Sequence, residues 1–161
     1  MILEANETLT PETLADIRKA STDDLYFFAK GILGYSWFIP HIHLPICRIL
    51  EDYETSTRVK IMLPRGWLKT TLCSIAYPLW RAIRDPNIRV LIAQNTFTNA
   101  CAKLKAIADQ VDGNALFRLI WPELLPTKLS TWKTESRCLN RTKSSPESTF
   151  EAAGIRTQVT S

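Results

Sequence analysis

The residues best suited to chemistry lie together in one stretch, Arg58-Val-Lys-Ile-Met-Leu-Pro-Arg-Gly-Trp-Leu-Lys-Thr-Thr71. A short apolar run typical of a strand ends at Pro64 and Gly66, and a helical pattern begins after them. Free backbone N–H groups at a helix start attract phosphate oxygens, a lysine adds positive charge, and a hydroxyl can ligate magnesium. The stretch therefore predicts a phosphate-binding loop in which Lys69 and Thr70 hold phosphate and metal.

The match to the general phosphate-loop pattern, G-x-x-x-x-G-K-[ST], is incomplete. Leu68 stands just before the lysine, where the pattern has a glycine, and Gly66 lies two residues earlier. An ordinary turn between a strand and a helix, with a lysine in water, explains the same residues. The stretch by itself leaves both interpretations open.

The sequence that follows the loop favours the phosphate-binding interpretation. An apolar segment of helical length runs from Leu72 to Arg84, and the turn Asp85-Pro-Asn87 separates it from a second strand-like run, Arg89-Val-Leu-Ile-Ala93. Strand, loop, helix and strand within roughly 30 residues or a little more form a βαβ unit. Pro78 lies inside the helical segment and should kink it.

Taken with its flanks, the sequence resembles the ATPase domain of the large terminase subunit of tailed bacteriophages, the motor that packages DNA into capsids. The resemblance covers roughly residues 24 to 161. It is carried by five segments, Leu63-Pro-Arg-Gly-Trp-Leu-Lys-Thr-Thr71, Val90-Leu-Ile-Ala-Gln-Asn95, Asn114-Ala-Leu-Phe117, Trp121-Pro-Glu-Leu124 and Phe150-Glu-Ala-Ala-Gly154.

The resemblance implies an α/β fold of the P-loop NTPase class (RecA-like, ASCE), with three layers. Residues 1–56 would form a helical N-terminal or lid segment, and residues 57–161 the front part of the ATPase core, in one domain overall. ATP and Mg²⁺ would be the cofactors. We expect the fold to be incomplete, because the core would stop before the Walker B strand.

The resemblance also implies roles for the loop residues. Lys69 would contact the β- and γ-phosphates, and Arg65, four residues ahead of it, would act as a sensor or arginine finger. Both would be catalytic, and Thr70 would ligate magnesium. The other residues expected to contact the nucleotide are Gly66, Trp67, Leu68, Thr71 and His43.

Aromatic residues upstream of the loop provide a candidate site for the base. His43 matches a histidine that lies beside the nucleotide base in the resembling family, and Trp37 or Phe38 could stack on adenine. Simple packing of these aromatic side chains against the sheet explains them equally well. A metal site at His41 and His43 is disfavoured, because no cysteine or acid cluster accompanies the pair.

A P-loop hydrolase also needs an acid at the end of another core strand to hold magnesium-bound water, and a carboxylate to polarise the attacking water. In the resembling family, that strand follows soon after a segment like Phe150 to Thr160. The sequence ends at Ser161, before any such strand. We therefore expect the front part of an ATPase domain, as a cut fragment, a broken prophage gene or a split coding region, that is inactive by itself. Lys60 to Leu63 and Arg89 to Ala93 would then lack their usual neighbouring strands.

The resemblance implies double-stranded DNA, a small terminase subunit and a capsid portal as partners. A full-length protein could form homo-oligomers and would work in the cytoplasm of the bacterial host cell. Two alternatives stay open. One is a noncatalytic prophage remnant that acts as an interaction module, and the other is a fragment of a different helicase-like P-loop ATPase.

Composition sets broad limits on these interpretations. The chain has 161 residues, 45% of them apolar, which suffices for one core. Its net charge of +4 is compatible with a nucleic-acid partner without requiring one. The four cysteines are widely spaced, which favours reduced thiols over zinc or disulfides. No signal peptide and no apolar run of about 18 residues is present, so we expect a soluble intracellular protein without membrane spans.

Local patterns predict the remaining elements. Thr96 or Thr98 should cap the helix that follows the second strand, and Ile49 to Asp52 fits a helix rather than an acidic strand end. Helices are also predicted over Thr10–Lys19 and Ser21–Lys30, each with its first residue as the cap, and a turn rich in aromatic residues over Tyr35–His43. The other predicted elements are helices over Leu44–Tyr53 and Ala100–Val111, a hairpin of Ser136–Asn140 with Ser148–Ala153, and a third strand within Ile155–Val159.

Overall fold

The computed structural model describes residues 10–55, 58–126, 133, 135–143 and 147–155. Helices and strands alternate with short helical turns of other types. In chain order, the elements are α1 Pro11–Asp23, α2 Leu25–Phe27, a π-helical turn Phe28–Ile32, α3 Pro40–Glu51, α4 Lys69–Thr71, a π-helical turn Leu72–Ala76, α5 Tyr77–Arg84, β1 Val90–Gln94, α6 Phe97–Gly113, α7 Ala115–Ile120, a 3₁₀ turn Pro122–Leu124, β2 Ser136–Arg137 and β3 Phe150–Gly154.

The three strands form one mixed sheet in the order β1-β3-β2. β1 runs parallel to β3, with Ile92 opposite Ala152, and β2 runs antiparallel to β3. The antiparallel pair confirms the predicted hairpin, although β2 is only two residues long. Of the third predicted strand, only Ile155 lies within the described residues.

The sheet is covered on one face. Ile92 and Phe150 are buried on the face that packs against α6, whereas Leu91 on the other face is 63% exposed and Glu151 beside it is exposed. Parallel sheets in α/β proteins usually have helices on both faces. Among the described residues the mixed sheet has helices on one face, so the three-layer P-loop architecture stays a prediction.

One edge of β1 has no partner strand among the described residues. Val90 N–H donates to the Thr149 carbonyl at 2.8 Å, so in a parallel ladder the N–H and C=O groups of Leu91 and Ala93 point to the opposite edge. A groove of about 570 Å³ lies between that edge and helical residues that include Ser74 and Tyr77. β1 therefore has β3 as one neighbour, and no described strand pairs with its other edge.

The predicted strand ahead of the loop does not form. Residues 58–63 belong to no strand in the described part of the chain. A strand needs a neighbour to pair its N–H and C=O groups, and no described strand pairs with this segment. Val59 and Met62 are exposed, Met62 to 76%. The strand assignment from apolar content alone was wrong, for want of a pairing partner.

Residues 69–84 are helical throughout, as α4, a π-helical turn and α5. Proline has no N–H for the carbonyl four residues earlier, and its ring crowds that carbonyl. The wider π turn comes directly before Pro78 and is closed by a bond from the Tyr77 N–H to the Leu72 carbonyl. A π turn therefore precedes Pro78, and the kink predicted there stays a prediction.

The N-terminal helices differ from prediction in their boundaries. Thr10 caps α1 as predicted, but the helix continues to Asp23. Ser21 does not start a new helix, because it is buried inside α1 and its hydroxyl donates to the Ile17 carbonyl at 2.6 Å. Asp24 caps α2 instead. Ser21 and Asp24 are both residue types that cap helices. Ser21 is buried inside α1, so Asp24 is the residue that caps the next helix.

α3 begins at Pro40 rather than at Leu44, so the predicted turn from Tyr35 to His43 is too long. Proline is favoured in the first turn of a helix because its φ is already helical. His41 and His43 both belong to this helix, and α3 ends at Glu51, which confirms the helical assignment there.

One hydrophobic core joins the N-terminal helices to the sheet. Phe28 packs edge-on against Phe117 and Trp121, with ring centroids 6.5 and 5.8 Å away. The Trp80 indole N–H donates to the Ser21 carbonyl at 3.2 Å. The organisation as one domain and the division at residue 56 stay predictions.

Side-chain caps hold the helices that follow β1. Thr96 accepts the Asn99 N–H at 3.3 Å, which confirms Thr96 as the cap of α6. Asn114 accepts the Phe117 N–H at 3.0 Å and caps α7, while its amide donates to the Ile32 carbonyl at 2.7 Å. The second bond connects α7 to the N-terminal helices.

All four cysteines are free, as predicted. Burial raises the pKa of the Cys47 thiol to about 12, with the carboxylates of Glu51 and Asp24 adding to the shift. This thiol therefore stays protonated and poorly reactive. No helix in the described ranges has the length and apolar character needed to span a bilayer.

Gly154, the last residue of β3, lies close to the backbone of Phe97 at the start of α6. A Cβ at this position would lie 2.7 Å from the Phe97 backbone nitrogen and 3.1 Å from its Cα. Gly154→Ala must therefore push the end of β3 away from the start of α6. We expect a loss of about 1–3 kcal/mol in the free energy of unfolding, measured by urea denaturation.

Gly113→Ala is the matched control. A Cβ at Gly113, the last residue of α6, meets nothing within 4 Å. Alanine there should leave stability unchanged or raise it by up to about 1 kcal/mol, because alanine is the better helix former. Equal stabilities of the two variants would contradict the close approach at Gly154.

Candidate functional site

The predicted phosphate-binding residues line one cavity. We call residues Leu63 to Thr70 the Gly66 loop. These eight residues line a cavity of about 350 Å³, which opens at the start of α4. Arg65 and Lys69 both contribute to its wall. Thr71, also predicted to contact nucleotide, is half-buried in the first turn of the helix and lies outside the lining.

The Gly66 loop has an unusual backbone. Gly66 has φ +84°, which glycine adopts freely, and Leu68 has φ 52° and ψ 19°, the left-handed conformation. Leu68 is the one non-glycine residue with positive φ in the described ranges. This conformation costs an ordinary residue about 1–2 kcal/mol. Strain of this kind is concentrated at binding and catalytic sites.

The conformation of Leu68 also sets the directions of neighbouring N–H groups. A left-handed residue followed by a right-handed helical residue, here Lys69, makes successive N–H groups converge into an anion-binding concavity. The helical run 69–84 adds the free N–H groups and the positive end of its dipole at the same place. The backbone therefore presents several donors to an anion.

Two cations stand at the cavity without an acidic partner. Among the described residues, the ion pairs join other basic side chains to carboxylates, and none involves Lys69 or Arg65. Burial raises the pKa of the Cys73 thiol, and the positive charge of Lys69, one helical turn away, opposes that shift. The loop is therefore positively charged and able to receive an anion.

A second cavity of about 470 Å³ adjoins the first. It is lined by Trp37, Ile39 and His43 from the region around the start of α3, and by Gly66, Trp67 and Leu68 from the loop. The two cavities share these three loop residues. A molecule with an anionic end and a flat apolar end fits this arrangement.

The structure separates the two candidate stacking residues. Trp37 is 81% exposed at the second cavity, whereas Phe38 is buried and stacks on His43 with ring centroids 4.5 Å apart and planes 3° apart. Phe38 is therefore unable to stack on a base. Trp37 is the residue that can.

His43 reaches the Gly66 loop from α3. Its side chain is 1% exposed, its Nδ1 accepts the Ile39 N–H at 2.9 Å, and its Nε2 lies 3.2 Å from the Trp67 carbonyl oxygen. The sequence resemblance placed His43 beside the base. The geometry brings its ring to the backbone of the loop.

Several supports of His43 have no signal in the sequence. The Tyr26 hydroxyl and the Lys30 ammonium both donate to the Phe38 carbonyl, at 2.9 and 3.2 Å. The Glu51 carboxylate accepts the Leu25 N–H at 2.7 Å and so ties the end of α3 to α2. These contacts join residues 8 to 26 positions apart, and no local sequence pattern predicts them.

A charge cluster completes the support of α3. Arg48 donates to Asp24 at 2.9 Å and to Glu51 at 2.7 Å. These hydrogen bonds and the two carboxylate charges raise the pKa of the Arg48 guanidinium further. Both carboxylate oxygens of Glu51 therefore accept hydrogen bonds that hold α3 in place, and Glu51 is not a free metal ligand.

Thr70 is the candidate magnesium ligand of the Gly66 loop. In the described ranges no group of three or more histidine, cysteine, aspartate or glutamate residues could hold a metal ion. Magnesium bound to a nucleotide takes few protein ligands, and its other ligands are phosphate oxygens and water. The exposed Thr70 hydroxyl at the loop cavity suits that role.

Comparisons of the chain with protein-family models, with curated proteins and with solved structures gave no significant match. The binding properties of this chain therefore have to be inferred from the Gly66 loop and the second cavity.

Proposed function

We propose that the chain binds ATP with Mg²⁺ at the Gly66 loop, as the nucleotide-binding front part of a viral DNA-packaging motor ATPase of the terminase large-subunit kind. The observation that carries the proposal is the pair of cations, Lys69 and Arg65, that line a cavity at a helix start without carboxylate partners among the described residues. The left-handed turn at Leu68 directs backbone donors to the same place.

Each part of the site has a chemical role in this proposal. Lys69 and the N–H groups of the first helical turn bind the β- and γ-phosphates. Thr70 ligates magnesium, which when bound would neutralise charge between the phosphates. Arg65 reaches the terminal phosphate, and the base occupies the second cavity against Trp37.

The wider role rests on the sequence resemblance. Double-stranded DNA, a small terminase subunit and a capsid portal would be the partners, a full-length protein could form homo-oligomers, and the bacterial host cytoplasm would be the site of action. The net charge of +4 is compatible with a nucleic-acid partner. In the full-length protein, ATP hydrolysis would be coupled to DNA translocation.

Lys69→Ala tests the phosphate site. Removing a charged donor should weaken binding of magnesium ATP and of inorganic tripolyphosphate about 10- to 100-fold, because a hydrogen bond to a charged group contributes about 1.5–3 kcal/mol. Isothermal titration calorimetry provides the measurement. Lys19→Ala is the control, since Lys19 is an exposed lysine on α1. Equal affinities of the two variants would remove the phosphate-site assignment.

The 161-residue chain is expected to bind ATP without turning it over. A cradle that stabilises the ground and transition states equally leaves the chemical barrier unchanged. The described residues that line the loop cavity include no aspartate or glutamate to polarise water. We therefore expect this chain to bind ATP and to release phosphate no faster than Lys69→Ala in a magnesium-containing assay.

A clear lysine-dependent rate of phosphate release would contradict that prediction. It would mean that a carboxylate from the β2–β3 region, Glu135, Glu147 or Glu151, reaches the loop and acts as the base. Substitution of each of these residues by glutamine would then identify it.

A further inference from the structure

We propose that His43 is a positioning residue of the Gly66 loop: its Nε2–H holds the Trp67 carbonyl and thereby aims the Leu68 N–H at the bound phosphate. The inference rests on the proposed function, because it concerns the same loop and the same ligand. It differs from the role implied by resemblance, in which His43 lies beside the base.

The hydrogen bonds of His43 define its tautomer. The Ile39 N–H lies 2.9 Å from Nδ1 and needs a lone pair there, so the ring proton is on Nε2. Nδ1 also lies 3.1 Å from the Ile39 carbonyl, but a proton on Nδ1 would face the Ile39 N–H at the shorter distance. With the proton on Nε2, the ring donates to the Trp67 carbonyl oxygen 3.2 Å away.

The Trp67 carbonyl and the Leu68 N–H belong to one peptide unit. In a planar trans peptide these two groups point in opposite directions. Holding the carbonyl toward His43 therefore turns the Leu68 N–H away from His43. His43 does not line the loop cavity, whereas Leu68 does. The bond thus keeps one backbone donor available to the phosphate.

The strained backbone at Leu68 requires a contact that keeps it from relaxing. Leu68 is held in a left-handed conformation that costs about 1–2 kcal/mol, and a flip of the preceding peptide would relieve it. A hydrogen bond to the carbonyl of that peptide opposes the flip. His43 can supply it because Phe38 stacks on the imidazole, and Tyr26 and Lys30 hold the Phe38 carbonyl.

A hydrogen bond from His43 to a base is disfavoured by the same geometry. Both ring nitrogens are engaged with backbone groups, and one ring face is covered by Phe38. The side chain is 1% exposed. His43 also lines the second cavity, but its two hydrogen-bonding atoms are used by the backbone, so the phosphate chain senses His43 through the loop.

Three substitutions separate the contacts of His43. His43→Gln places an amide donor near the position of Nε2, His43→Asn retains only a group near Nδ1, and His43→Phe keeps the stacked ring without either hydrogen bond. His41→Gln is the matched control, because His41 is an exposed histidine in the same helix. Thermal unfolding of each variant identifies any that fail to fold.

Calorimetry with inorganic tripolyphosphate and with magnesium ATP is the first measurement. We expect His43→Phe and His43→Asn to weaken both ligands equally, by about 3- to 10-fold, the size of one net hydrogen bond. His43→Gln and His41→Gln should bind both ligands with nearly the affinity of the unsubstituted chain. Loss of ATP binding alone would mean that His43 contacts the base, and unchanged binding in all variants would also overturn the proposal.

A second measurement needs no ligand. Long-range ¹H–¹⁵N correlation of the imidazole should show the Nε2–H tautomer, and the Leu68 amide signal should shift in His43→Phe and His43→Asn but not in His43→Gln. An Nδ1–H tautomer or an unmoved Leu68 signal would overturn the positioning role. If the unchanged chain binds neither ligand, the proposed function fails, and these spectra still decide whether His43 holds the loop.

Discussion

The left-handed backbone at Leu68 is the constraint on which the rest of the site depends. It joins the Gly66 turn to the helical run 69–84 and converges the N–H groups at the helix start. A leucine does not adopt this conformation without opposing contacts. Here the Leu68 side chain packs against the core, and His43 holds the preceding carbonyl.

These contacts make the N-terminal helices part of the candidate site. α3 carries His43, and α3 is joined to α2 through Glu51 and Arg48. The upstream segment, expected to act as a lid, is thus also a support for the loop. In energetic terms, burial of the aromatic core and a few hydrogen bonds offset the strain at one residue of the loop.

The sheet presents the opposite situation, with backbone groups that the described residues leave unpaired. β1 has a neighbour on the β3 side and a groove on the other, and residues 58–63 pair with no described strand. Apolar content predicted a strand at both places. It formed where a partner of matching register existed, because a ladder needs hydrogen bonds from both strands.

The sequence alone determined the features that depend on a few neighbouring residues. The caps at Thr10 and Thr96 follow from side chains that act on backbone groups within about one helical turn, and the positive charge of the loop follows from Arg65 and Lys69. Tertiary structure alone decided the parallel pairing of β1 with β3 and the bond from His43 to Trp67. Those contacts join residues 24 to 60 positions apart, so only the burial of a common core selects them from many local alternatives.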